Sequence, residues 1–132
     1  MGAIVRYVVT LAVMLPLDAT WLLLTSGTYR RVMGSLLKPQ FDIAAAVAFY
    51  LVYVFGVTVL VTSPASKVLP ATLRGAVFGL TAYATYDLTA LAVIRDWPLS
   101  LSLIDMAWGT VLTGVASGIT VFLTARFTPK AA

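Results

Sequence analysis

No cysteine and no histidine occur in this chain. Without thiols there are no disulfides, no iron–sulfur clusters and no thiol catalysis. Without imidazole the usual haem and zinc ligands are missing, and so is the commonest general base. Lysine is absent from the apolar runs, which argues against a retinal-type Schiff base. Charge of either sign is scarce: nine Lys and Arg, and five Asp and Glu, in 132 residues. The basic residues are scattered among the ends of the runs, where they anchor to lipid headgroups. The net charge of +4 is therefore no nucleic-acid footprint.

Apolar side chains fill the space left over. At 61% they place the chain in the membrane class. Four long runs follow, at about 4–24, 43–61, 75–94 and 100–124. Each approaches or exceeds the roughly 20 residues needed to cross a bilayer core. The first run is too long for a signal h-region, holds Asp18 and lacks a small-residue cleavage site. The connections are short, which forces neighbouring helices to run antiparallel. The expected fold is an all-α membrane protein, a single domain over residues 1–132 built as an antiparallel bundle of four transmembrane helices.

Both termini then lie on one side, called N here, and the opposite side is called P. The first loop is expected from Thr25 to Asp42, the second from Thr62 to Arg74. In the third, Arg95-Asp96-Trp97-Pro98, Asp96 or Ser100 would cap the last helix. Arg6, Lys67, Arg74, Arg126 and Lys130 fall on the N side, against Arg30, Arg31, Lys38 and Arg95 on the P side. The surplus of one leans to cytoplasmic termini in a bacterial inner (cytoplasmic) membrane.

Three acids interrupt the runs: Asp18, Asp87 and Asp105. A carboxylate near the middle of a membrane helix costs roughly 2.5–3.5 kcal/mol on insertion scales. Counting about 1.5 Å per residue, Asp18 and Asp87 lie roughly 3–5 Å to the P side of their helix midpoints, and Asp105 about 9–10 Å. All three thus fall in one leaflet half. Trp21 and Trp108 follow Asp18 and Asp105 by three residues, which puts each pair on one helix face. Tyr83 shares a face with Asp87. Trp21 and Trp97 also sit near the P-side boundary, as belt tryptophans do.

The pattern describes a recessed polar site with aromatic walls, made of Asp18, Trp21, Tyr83, Asp87, Asp105 and Trp108. Its bland counterpart is helix glue, each acid bonded to an indole or a hydroxyl. Carboxyls close together in low dielectric cannot all ionise without a counter-charge, so they share protons or hold a cation. Three aspartates on three helices could hold a hard ion such as magnesium or manganese, although no metal-binding motif is present.

Other features receive plainer readings. Pro16 would kink the first helix beside Asp18. Gly75-x-x-x-Gly79 and Gly114-x-x-x-Gly118 suit close packing within the chain, with a homodimer seam as the alternative. Phe49, Tyr50, Tyr53 and Phe55 on the second helix are given no chemistry. Arg6 would snorkel to the N-side surface, and Arg30-Arg31 would anchor at the P side or hold an anionic headgroup.

Leu-Asp-x-x-Trp at 17–21, Tyr-Asp-Leu-Thr at 86–89, Trp97-Pro98 and Asp-x-x-Trp-Gly at 105–109 resemble one bacterial family. It is the membrane-protein family grouped as domain of unknown function 2177. The resemblance covers nearly the whole chain. It implies a four-helix inner-membrane architecture and importance for Asp18, Trp21, Asp87, Asp105 and Trp108, but no activity. At position 90 this chain has Ala where the resemblance leads one to expect a polar amide.

The leading functional reading is a site for a lipid or small amphiphile, with carboxyl acid–base chemistry as its only route to catalysis. An accessory or assembly subunit of a larger membrane complex is the second. A small proton-coupled homodimeric transporter is the third, and the off-centre depth of the acids counts against it.

Overall fold

The computed structural model describes residues 2–127. Helix α1 spans Gly2–Met33 and ends in a 3-10 turn, Gly34–Leu36. Helix α2 spans Ile43–Val57 and continues as a π-helical turn, Thr58–Thr62. Helices α3 and α4 span Val68–Val93 and Leu99–Thr124. All four segments are long and apolar enough to cross a membrane, so the chain is a multi-pass, all-α bundle. Lys130, counted above on the N side, lies outside the described residues.

Helix α4 is the hub. Half of its most apolar stretch is buried inside the bundle, against 17–22% for the other three. Its contact with α3 is the most extensive of any pair, followed by its contact with α1. Small residues explain this, because apolar side chains gain nothing from leaving lipid and helices must attract by close approach instead. A methyl group on Gly75 would stand 2.6 Å from the Thr113 carbonyl, and one on Gly79 would strike the Gly109 carbonyl. The glycine pairs of α3 and α4 thus pack within the chain. The core between α1, α2 and α4 is conventional, with Met14, Tyr53, Val54, Val57, Leu112 and Ala116 buried together.

Three helix ends differ from the sequence expectation. Helix α1 does not stop near Leu24. Thr25 and Ser26, which read as loop residues, donate to the Trp21 and Leu23 carbonyls at 2.7 and 3.4 Å. Their hydroxyls are satisfied inside the helix, so nothing forces it to end. At 32 residues it is roughly 48 Å long, well beyond a core of about 30 Å, and it runs through Pro16 without interruption. Arg30 and Arg31 therefore sit in its last turn, where the carbonyl end of the dipole favours cations. Helix α3 begins at Val68, not Gly75. Pro70 falls in its first turn, where no backbone donor is needed.

Neither Asp96 nor Ser100 caps α4. Pro98 holds that position without a side-chain bond, and Asp96 instead turns the chain at φ 59°. The Trp97 indole fastens the connector by donating to Ser102 Oγ at 2.8 Å. Trp97 is buried at 8% exposure and packs edge-on against Tyr86, so it is no belt anchor. Arg6 does not snorkel either. It is buried, and its Nη1 donates to the Ala65 carbonyl at 2.9 Å, pinning the α2–α3 connection to α1.

Candidate functional site

Asp18 faces inward from α1 and is 6% exposed. Its carboxylate takes two donors from two other helices. Trp108 Nε1 of α4 donates to Oδ1 at 2.9 Å, and the Tyr50 hydroxyl of α2 donates to Oδ2. One acid thus joins α1, α2 and α4 at a single point. The Trp108 ring also lies flat on Trp21, with centroids 4.6 Å apart and planes 4° from parallel. The Asp-x-x-Trp repeats therefore meet crosswise: the tryptophan of the second binds the acid of the first and stacks on its tryptophan.

Asp105 lies half-buried at the start of α4 and accepts from the Tyr29 hydroxyl at 3.1 Å. Tyr29 belongs to the extension of α1 past Leu24. Asp87 is 2% exposed, lies against Asp105, and its Oδ2 has no hydrogen-bond partner. The Trp21 indole N–H is likewise buried, with the Tyr29 hydroxyl as its nearest polar neighbour. The acids therefore form one satisfied carboxylate, Asp18, and one under-satisfied pair, Asp87 with Asp105. Among the described residues no three acids gather as a metal-holding group. The one ion pair there is the exposed Lys38–Asp42 contact at 3.7 Å, so none of the three acids is neutralised by a base.

Tyr83 takes no hydrogen bond to Asp87. Its ring covers Gly109, where a side chain of any size would strike it, and meets Tyr53 edge-on at 6.0 Å. It lines a cavity of about 300 Å³ together with Phe49, Tyr53, Ala82, Tyr86 and Asp105. Asp105 is thus the acid that opens to this cavity, and Asp18 and Asp87 do not line it.

Two side chains are added to the six sequence candidates. Tyr50, which the sequence gives no chemistry, is a donor to Asp18. Tyr29 was read as loop. Tyr53 also has a polar role: its hydroxyl and that of Thr113 are bonded at 2.7 Å. The available signal was that buried carboxylates need donors, and phenols supply donors in a chain without histidine. Nothing local indicated which phenol serves which acid.

The sequence model of a family described as "Predicted membrane protein (DUF2177)" matches residues 3–122. No curated protein and no solved structure matches the chain.

Proposed function

We propose that this chain, which belongs to the DUF2177 family of predicted membrane proteins, holds the polar head of a small amphiphile at the Asp87–Asp105 pair. The head enters beside Asp105 through the cavity lined by Tyr53, Tyr83 and Tyr86. One observation carries this reading. Asp87 is almost wholly buried against a second acid, and besides a proton shared between the two carboxyls the pair takes one donor among the described residues, the Tyr29 phenol. A buried acceptor left unpaired costs about 1–3 kcal/mol. Asp18, whose oxygens are both bonded, shows that this bundle can satisfy an acid when only structure is required.

The chemistry of the site defines its ligand class. Among the described residues acceptors outnumber donors, and no cation is paired with the three acids. A head rich in donors, ammonium or hydroxyl, fits; an anionic head does not. In a bacterial inner membrane, the one-residue excess of N-side cations in the sequence would put the termini in the cytoplasm.

Three eight-carbon probes test the reading: octylamine, octyl glucoside and octyl sulfate, added to protein in lipid nanodiscs. Stacked Trp21 and Trp108 supply the fluorescence signal. The amine and the glucoside should shift it saturably, the sulfate should not, and Asp87→Leu should abolish the shift. An equal response to all three probes, or a response that survives in Asp87→Leu, rejects the site.

A further inference from the structure

The continuation of α1 creates a second concavity that none of the six sequence-derived site residues lines. It measures about 940 Å³ and lies between the outer half of α1 and the segment 34–41 that folds back beside it. Leu22, Leu23, Leu37 and Phe41 form apolar walls, and Arg30 and Lys38 stand at its rim. From Leu22 to Arg30 the helix climbs roughly 12 Å. That is a step from hydrocarbon depth to headgroup depth within one groove.

We infer that this groove binds one phosphate-bearing, anionic membrane lipid. Its acyl chain lies along Leu22, Leu23, Leu37 and Phe41, and its phosphate rests on Arg30 with Lys38 beside it. Charge complementarity selects this occupant. Arg30 has no acid or hydrogen-bond partner among the described residues, whereas Lys38 already leans on Asp42 at 3.7 Å. A guanidinium takes phosphate oxygens in bidentate fashion. The volume lies at the upper end of the range of small-molecule sites, enough for a headgroup and part of a chain. The groove is cationic where the neighbouring recess is acidic, so the two select opposite heads. Tyr29 touches both: it lines the groove and donates to Asp105.

Arg31 provides an internal control. It neighbours Arg30 in sequence but does not line the groove, and its Nη2 contacts Thr28 Oγ1 at 3.4 Å. General anchoring at the membrane surface would use both arginines alike; a groove site uses one.

The test is native mass spectrometry of the full chain released from micelles containing equal amounts of phosphatidylglycerol and phosphatidylcholine. One phosphatidylglycerol should be retained in preference to phosphatidylcholine. Arg30→Gln should weaken that retention about tenfold, a loss in the range of one charge-assisted contact. Arg31→Gln should match the parent. Equal retention of the two lipids, or equal losses from the two arginine substitutions, overturns the proposal. Displacement of the lipid by soluble glycerol phosphate also overturns it, in favour of a water-soluble phosphoester. Both arginines are exposed, so neither change threatens the fold. The octylamine response of the recess should persist in Arg30→Gln, so failure of one site is distinguishable from failure of the other.

Discussion

Along the α3–α4 seam, Gly75, Gly79 and Gly114 bring two helices to near-backbone contact, and Ser117 and Thr113 fill what space remains. At the acid-bearing end the same helices carry Asp87, Asp105 and Trp108; Asp105 and Trp108 bond to Tyr29 and Asp18 of α1, and Tyr50 of α2 joins them through Asp18. The first region buries hydroxyls but no charge, and its one orphan among the described residues is the Ser117 hydroxyl. The second contains three carboxyls and few donors. The difference teaches how a small membrane protein can hold an expensive polar cluster. Where water exclusion supplies no drive between helices, close packing in one half of the bundle must supply the cohesion that the other half spends.

The comparison can be broken most directly at Gly79. Gly79→Leu pushes a side chain into the Gly109 backbone, which cannot move aside as a flexible side chain would. A loss of about 3 kcal/mol is expected in reversible unfolding by sodium dodecyl sulfate, and an unchanged midpoint would show that the seam is not the source of cohesion. Asp18→Leu comes next. It leaves the Tyr50 hydroxyl and the Trp108 indole without their acceptor, and about 2 kcal/mol should be lost in the same assay. Tyr29→Phe removes one half-buried bond to Asp105, and about 1 kcal/mol is expected. Gly27, by contrast, has nothing within 4 Å of where a methyl would stand. Gly27→Ala should raise stability by about 0.5 kcal/mol, the usual helical preference for alanine.

The smallest change in stability sharpens the comparison most. Asp87→Leu deletes a carboxyl that has an unpaired oxygen, so its unfolding midpoint should stay level or rise. Asp18 and Asp87 would then separate into an acid kept for structure and an acid kept for binding. Equal destabilisation by the two substitutions would erase that distinction.

The four spans were legible in the sequence because apolar runs of bilayer length have few other uses. Their ends were less so. Thr25, Ser26 and Gly27 carry loop chemistry, yet two of them bond back to their own helix. Val68–Arg74 looked like a loop because of Pro70, which is harmless in a first turn. At the site, the acids and tryptophans were visible as repeats along one chain. The crossed pairing of Trp108 with Asp18 was not, because residues 90 positions apart leave no local spacing to read. Tyr29 and Tyr50 were hidden for the same reason. Each lies on a different helix from the acid it serves or in a stretch mistaken for loop.

The clasp at Asp18 also has a history in time. A chain made from its N-terminus delivers helices to the bilayer in order. Asp18 enters first, with neither of its donors yet synthesised. Tyr50 arrives with the second span and Trp108 only with the fourth. During synthesis the first helix therefore carries an unmatched acid in the membrane, and its tryptophan has nothing to stack on. Of these four spans, the last to be inserted is the one that closes the clasp. A ribosome stalled before α4 would leave a protein with three spans and an open polar wound, a natural target for the cell's membrane quality control.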